Sequence, residues 1–181
     1  MQLRALPESK AKETLKESAN RVHSMALVHE KLYESGTLSS IDAYEYLHEL
    51  SDYLATAAGA KQRGITLNLS IDHVQISLQA SIPLGLILNE LISNAFKYAF
   101  PETSTGYLSI YFYADQAGNA ILKVQDNGVG LPENHVANTE KSLGLKLVNA
   151  LAKQLKGSLE LDNRQGFYVK LTFPIEVRLN G

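Results

Sequence analysis

The chain has 181 residues, 17 basic and 19 acidic, with a formal net charge of −2, 45% hydrophobic and 20% charged residues, which suits one globular domain or one domain with a helical attachment. So balanced a charge gives no electrostatic footprint for nucleic acid or an acidic membrane, and zero cysteines exclude disulfides and thiolate metal sites and fit a cytoplasmic location. No apolar run approaches the ~20 residues needed to span a bilayer, and Met1-Gln2-Leu3-Arg4 lacks the apolar stretch of a signal peptide.

From Glu8 to about Ser35 the pattern predicts a long amphipathic helix, begun after the breaker Pro7. With Leu15 as position a, Leu15, Val22 and His29 fall at a and Ser18, Met25 and Leu32 at d. That mostly apolar seam suits a coiled coil or a helical hairpin. Ser35-Gly36-Thr37 ends the helix. Ser39-Ser40-Ile41-Asp42 has capping-box form, with Ser39 as N-cap and Asp42 at N3. A second helix is expected to about Ala58, with Leu47, Leu50, Leu54 and Ala57 on one stripe.

Past Gly59 the period changes. Ile65, Leu67, Leu69 and Ile71 alternate with polar residues, as in a strand with one buried face. Ile82-Pro83 opens a helix to about Ala99, with Pro83 near N1. Two β-rich runs, Tyr107–Ala114 and Asn119–Gln125, flank the turn Asp115-Gln116-Ala117-Gly118. Gly128 and Gly130 begin a polar loop to about Lys141. A helix from Leu143 to Leu155 stops at Lys156-Gly157. Ser158–Leu161 and Phe167–Phe173 form a closing hairpin. The fold class is α/β: a two-layer sandwich with a mixed sheet, preceded by a helical arm over residues 1–58 and occupying 59–181.

Three stretches could carry chemistry. In Asn89-Glu90-Leu91-Ile92-Ser93-Asn94-Ala95-Phe96-Lys97-Tyr98, Glu90, Asn94 and Lys97/Tyr98 share one helix face, while Ile87, Leu88, Leu91, Ala95 and Ala99 form the core face. A carboxylate and a carboxamide one turn apart offer hard oxygens to Mg²⁺, and a lysine one turn on can meet phosphate. An ordinary solvated polar face accounts for the spacing as well. In Asp126-Asn127-Gly128-Val129-Gly130 a strand-end carboxylate can accept from an exocyclic amine, and two glycines let backbone approach a ligand. A plain strand-to-loop turn is the bland alternative. Ser142-Leu143-Gly144-Leu145-Lys146 begins a helix, where free N–H groups and the dipole suit an anion, or where a simple helix cap sits.

In this order and at these separations, the three resemble the N, G1 and G2 boxes of the Bergerat-type ATP fold. That fold is shared by gyrase, the ninety-kilodalton heat-shock chaperone, mismatch-repair ATPases and histidine kinases. Gly166-Phe167-Tyr168-Val169-Lys170-Leu171-Thr172-Phe173 is similar to that family's closing strand. Arg21–Tyr33 and Ile82–Leu91 narrow the likeness to sensor histidine kinases with a short nucleotide lid, over nearly the whole chain.

The resemblance implies a site for ATP and Mg²⁺. Asn94 would ligate Mg²⁺, and Glu90 would orient or deprotonate the attacking group and meet the metal through water. Lys97 and Tyr98 would face phosphates or ribose. Asp126 would accept from the adenine amino group, with Gly128 and Gly130 flanking the base. Ser142, Leu143, Gly144 and Leu145 would cradle phosphates, and Leu131–Lys141 would form the lid. Two departures stand out: Ser142 occupies the place of a common first glycine, and Phe167 that of a small hydroxyl residue.

The resemblance also implies a response-regulator receiver domain as partner, a homodimer through the arm, and neither nucleic acid nor membrane contact by this chain. Met1–Leu6, matching the end of the family's acceptor-bearing helix, holds no histidine. His29-Glu30 mimics an acceptor pair, but Tyr33 stands where Thr or Asn is usual, and an a position favours a packed core histidine. His23 is expected at the surface; His48, His73 and His135 have no motif around them. The implied function is a histidine kinase whose acceptor lies outside the chain. An anti-sigma-type serine kinase would lack the helical arm, and a non-catalytic nucleotide-responsive module would not need Glu90 and Asn94. A gyrase-like clamp would need a transducer domain.

Overall fold

Period-2 alternation becomes a sheet, and the 3.6-residue stripes become the helices that cover it. The computed structural model describes residues 8–35, 39–100, 105–130, 143–162 and 166–175. Pro7, the Met1–Leu6 segment, Gly36-Thr37, the Leu131–Lys141 lid, His135 and Ser142 lie outside them. In chain order the elements are α1 (Glu8–Ser35), β1 (Ser40–Asp42), α2 (Ala43–Ala57), β2 (Ile65–Ile71), β3 (Gln75–Ser77) and α3 (Leu78–Asn94). A π-helical turn over Ala95–Ala99 continues α3. Then come β4 (Gly106–Ala114), β5 (Asn119–Asp126), α4 (Leu143–Gln154), β6 (Ser158–Asp162) and β7 (Tyr168–Pro174).

The main sheet runs β2-β4-β5-β7-β6, parallel between β2 and β4 and antiparallel elsewhere. Register places Leu69, Ile110, Val124, Val169 and Leu161 in one cross-strand row. Ile71, Phe112, Leu122, Leu171 and Leu159 form the next. Most members of these rows are buried, joining α3 and α4 in a core that also takes Leu27, Val28 and Leu32 of α1. The mixed α/β sandwich with a helical arm is therefore present. The arm is tied to the rest of the chain by a second sheet, in which Ser40–Asp42 pairs antiparallel with Gln75–Ser77.

Three expectations need correction. Asp42, not Ser39, is the N-cap of α2: its side chain accepts from Tyr44 N, and residues 40–42 are spent on β1. The helix expected to open at Ile82-Pro83 begins a turn earlier, because the Ser77 hydroxyl caps Ala80 N at 3.3 Å and leaves Pro83 inside α3. The third is the seam on α1. Leu15, Val22 and Met25 are exposed, while Asn20, Ser24, Leu27, Val28 and Leu32 are buried. His29 is exposed too, so it is not a packed core histidine. His23 is half-buried and stacks on Tyr53 at 3.7 Å between ring centroids.

Shape selects the inner face of α1. Tyr46 of α2 is fully buried and donates its hydroxyl to Ser24 O at 3.2 Å, and burial pushes its phenol pKa up. The space for that hydroxyl exists because residue 85 on α3 has no side chain: a Cβ at Gly85 would overlap it. Gly85→Ala is therefore expected to destabilise the chain by about 1–3 kcal/mol through overpacking, despite alanine's better helix propensity. Denaturant midpoints of the two chains check this, and an unchanged midpoint would contradict the keyed contact.

Candidate active site

The π-helical turn, an i→i+5 bulge of the kind often found at functional sites, resets the helix phase after Asn94. Lys97, within this turn, faces α1 and pairs with Glu17 at 3.2 Å. Lys97 also lies 5.2 Å over the ring of Tyr98, which is exposed. Arg63 supports the bulge by donating to the carbonyls of Phe96 at 2.9 Å and Phe100 at 2.7 Å. Glu90 and Asn94 lie one turn apart on α3.

The first turn of α4 closes on these two residues. A Cβ built at Gly144 would lie 3.0 Å from Glu90 Oε2 and 3.5 Å from Asn94 Nδ2. The first turn of α4, at the positive end of the helix dipole, thus faces a carboxylate and a carboxamide. Leu143 opens α4, and Leu145 is buried. Asn94 has no side-chain partner among the described residues, so its Oδ1 is uncommitted. That suits Mg²⁺, which takes few protein oxygens and fills its shell with phosphate and water.

Asp126 ends β5 and is only 2% exposed. Its Oδ1 accepts from Gly128 N at 2.9 Å and Phe167 N at 3.2 Å. Oδ2 is left without a partner among the described residues. Burial raises the carboxyl pKa above the ordinary value, against the pull of those two amides. Phe167 thus acts through its backbone, which tolerates its unusual side chain. Gly128 packs where a Cβ would overlap the Ala99 carbonyl, and Val129 N donates to that same oxygen at 2.9 Å. This joins the loop after β5 to the end of α3. Gly130 follows at φ 69°.

Two side chains missed by the sequence reading complete the picture. Arg21 of α1 holds Glu90 bidentately, Nε to Oε1 at 2.7 Å and Nη2 to Oε2 at 3.1 Å. Hydrogen bonding to Glu90 raises the arginine pKa further, against burial and with help from the charges of Glu90 and Glu17. Asn89 adds its Nδ2 at 3.3 Å to Oε1, while its own Oδ1 is buried and unpartnered. Polar Asn20, Arg21 and Ser24 on an inward face were the available signal, hidden by the apolar stripe beside them.

Residues 79–177, more than half of the chain, match the family described as histidine kinase-, DNA gyrase B- and HSP90-like ATPases. The chain belongs to this family. Residues 1–58 match a second description, histidine kinase. The sensor histidine kinase PdtaS of Mycobacterium tuberculosis is 31% identical over 97% of this chain and 35% of its own length. Blue-light-activated histidine kinase 2 of Erythrobacter litoralis is 24% identical over 87% of this chain and 46% of its own. This chain thus spans between a third and a half of these curated relatives. In fold it is similar to the histidine kinase domain of the Erythrobacter litoralis EL346 blue-light-activated kinase, with TM-score 0.81 and 22% identity. That likeness covers 88% of this chain and 75% of the other. Among the described residues no helix is long and apolar enough to cross a membrane.

Proposed function

We propose that this chain is the ATP-binding catalytic part of a two-component sensor histidine kinase, moving the γ-phosphoryl group of ATP to a histidine outside the chain. The observation that carries this is the convergence of Glu90, Asn94 and the first turn of α4, with the loop that follows the buried Asp126 packed on Ala99 at the end of the same helix. Asp126 Oδ2 takes the adenine amino group, with Gly128 and Gly130 against the base. The backbone of Ser142–Leu145 takes phosphates, and Lys97 and Tyr98 serve the phosphate or ribose edge.

Asn94 would hold Mg²⁺, with Glu90 meeting it through water, and the ion would supply charge neutralisation at the phosphates. Glu90 receives the ring proton of the attacking imidazole as the N–P bond forms, the β,γ-bridging P–O bond breaks and ADP leaves. Positioning and charge neutralisation supply most of the rate gain. A receiver domain of a response regulator as the next acceptor, a homodimer through the arm and a cytoplasmic location belong to the same proposal.

The test incubates this chain with Mg²⁺ and γ-labelled ATP, measures binding, and maps acid-labile, base-stable label by mass spectrometry. Bound ATP with no labelled histidine is the expected result. Label on the exposed His29 would place the acceptor inside the chain instead. Asn94→Ala is expected to abolish the Mg²⁺ dependence of binding; unchanged dependence would favour a non-catalytic nucleotide-responsive module.

A further inference from the structure

We propose that Arg21 is a positioning residue for phosphotransfer: it holds Glu90 while the arm is docked and must let go before that carboxylate can take a proton. The proposal rests on the kinase reading above. Both oxygens of Glu90 are occupied from the arm side, one by Nε and one by Nη2 of the same guanidinium, with Asn89 as a third donor. On the other side Oε2 faces Gly144, where the phosphates belong. Arg21 therefore covers Glu90 on the side left open to an acceptor once the phosphates lie at Gly144. A guanidinium does not deprotonate in a protein, so it cannot pass the proton on; a lone pair on Glu90 has to be vacated.

The docked position is specified by charge. Glu17 and Arg21 lie one turn apart on α1 and meet Lys97 and Glu90, two turns apart on α3 and its π-helical extension. Sliding α1 by one turn would set Glu17 toward Glu90 and so repel. Ser24, the next residue on the same stripe, is held by Tyr46. The Glu90 side chain is 9% exposed and that of Arg21 31%, so the arginine can return to water more easily than the carboxylate can. Left bare, the buried carboxylate would be strongly disfavoured. An arriving imidazole supplies a replacement N–H, which makes the release an exchange of donors and couples arm position to acceptor arrival.

The test uses the whole chain and reads the hydrolysis of Mg·ATP that the proposed site would catalyse. There a water oxygen attacks the γ-phosphorus, the β,γ-bridging P–O bond breaks, Glu90 takes the water's proton, and ADP and inorganic phosphate leave. Arg21→Gln is expected to raise ADP formation about fivefold or more, by converting a mostly docked population into an open one. Arg21→Lys, which keeps one ion pair, should fall between, and Glu17→Gln, which loosens only the second tie, should give a smaller rise. KM for ATP should stay within about twofold, because the arm shifts the competent population rather than nucleotide affinity. Without nucleotide, amides of residues 14–28 should exchange faster in Arg21→Gln, with those of β4, β5 and β7 unchanged. Faster exchange with an unchanged or lower rate would make Arg21 merely structural and overturn the proposal. Absence of nucleotide binding by the unsubstituted chain would instead overturn the kinase reading beneath it.

Discussion

Asp126→Ala is expected to weaken ATP binding by ~1.5–3 kcal/mol, about 10–150-fold, the worth of one hydrogen bond to a charged group. Alanine does two things at once. It removes the uncommitted Oδ2, and it strips Gly128 N and Phe167 N of the acceptor they share. Asp126→Asn separates the two effects. The amide oxygen can keep both backbone donors, while its NH₂ then faces the adenine amino group, donor against donor. The asparagine chain should therefore fold as well as the parent and still lose affinity. Isothermal titration with ATP checks this; affinity within about twofold of the parent for both variants would mean that the adenine pocket lies elsewhere.

How much of this was legible beforehand differs from element to element. Strand β2 was readable because it alternates cleanly: Ile65, Leu67, Leu69 and Ile71 needed only a covering layer, and they found it. The core face of α3 was equally plain, with Ile87, Leu88, Leu91 and Ala95 all buried. Gly128 stood out in the sequence as a glycine after a strand, and it does mark a close approach, to the Ala99 carbonyl, that a side chain would block. Helix α1 was not legible in the same way. Most of its expected seam, Leu15, Val22 and Met25, faces solvent, while its inner face mixes Asn20, Arg21 and Ser24 with Leu27, Val28 and Leu32. Periodicity reports how apolar a stripe is; here the choice was made by a tyrosine hydroxyl, a missing Cβ and two ion pairs, which are properties of the partner surface. The stop of α4 shows the same limit on a smaller scale. The basic-then-glycine signal was right, but Lys156 takes the left-handed position at φ 55°, and Gly157 serves the close approach to Thr172 O. The π-helical turn over Ala95–Ala99 had no sequence signal at all.

The larger effect is expected at Glu90. On the proposed kinase reading, Glu90→Gln should cut phosphotransfer to a histidine acceptor by roughly 10²–10⁴-fold, the usual contribution of a positioned general base. That is about 2.7–5.4 kcal/mol of barrier at 1.36 kcal/mol per decade. Glutamine keeps the shape that packs against Gly144, so ATP affinity should change little. It also disrupts the bidentate pair, because its NH₂ would oppose one of the two arginine donors. Glu90→Gln thus loosens the arm and removes the base together, whereas Arg21→Gln loosens the arm and leaves the base in place. If Glu90 takes the proton, the double variant must be as slow as Glu90→Gln alone, since freeing an arm gains nothing when no carboxylate waits beneath it. If Glu90 only orients the attacking group, the loss falls below about tenfold and the two substitutions combine as independent effects. Rates of phosphohistidine formation for the four proteins decide between these outcomes.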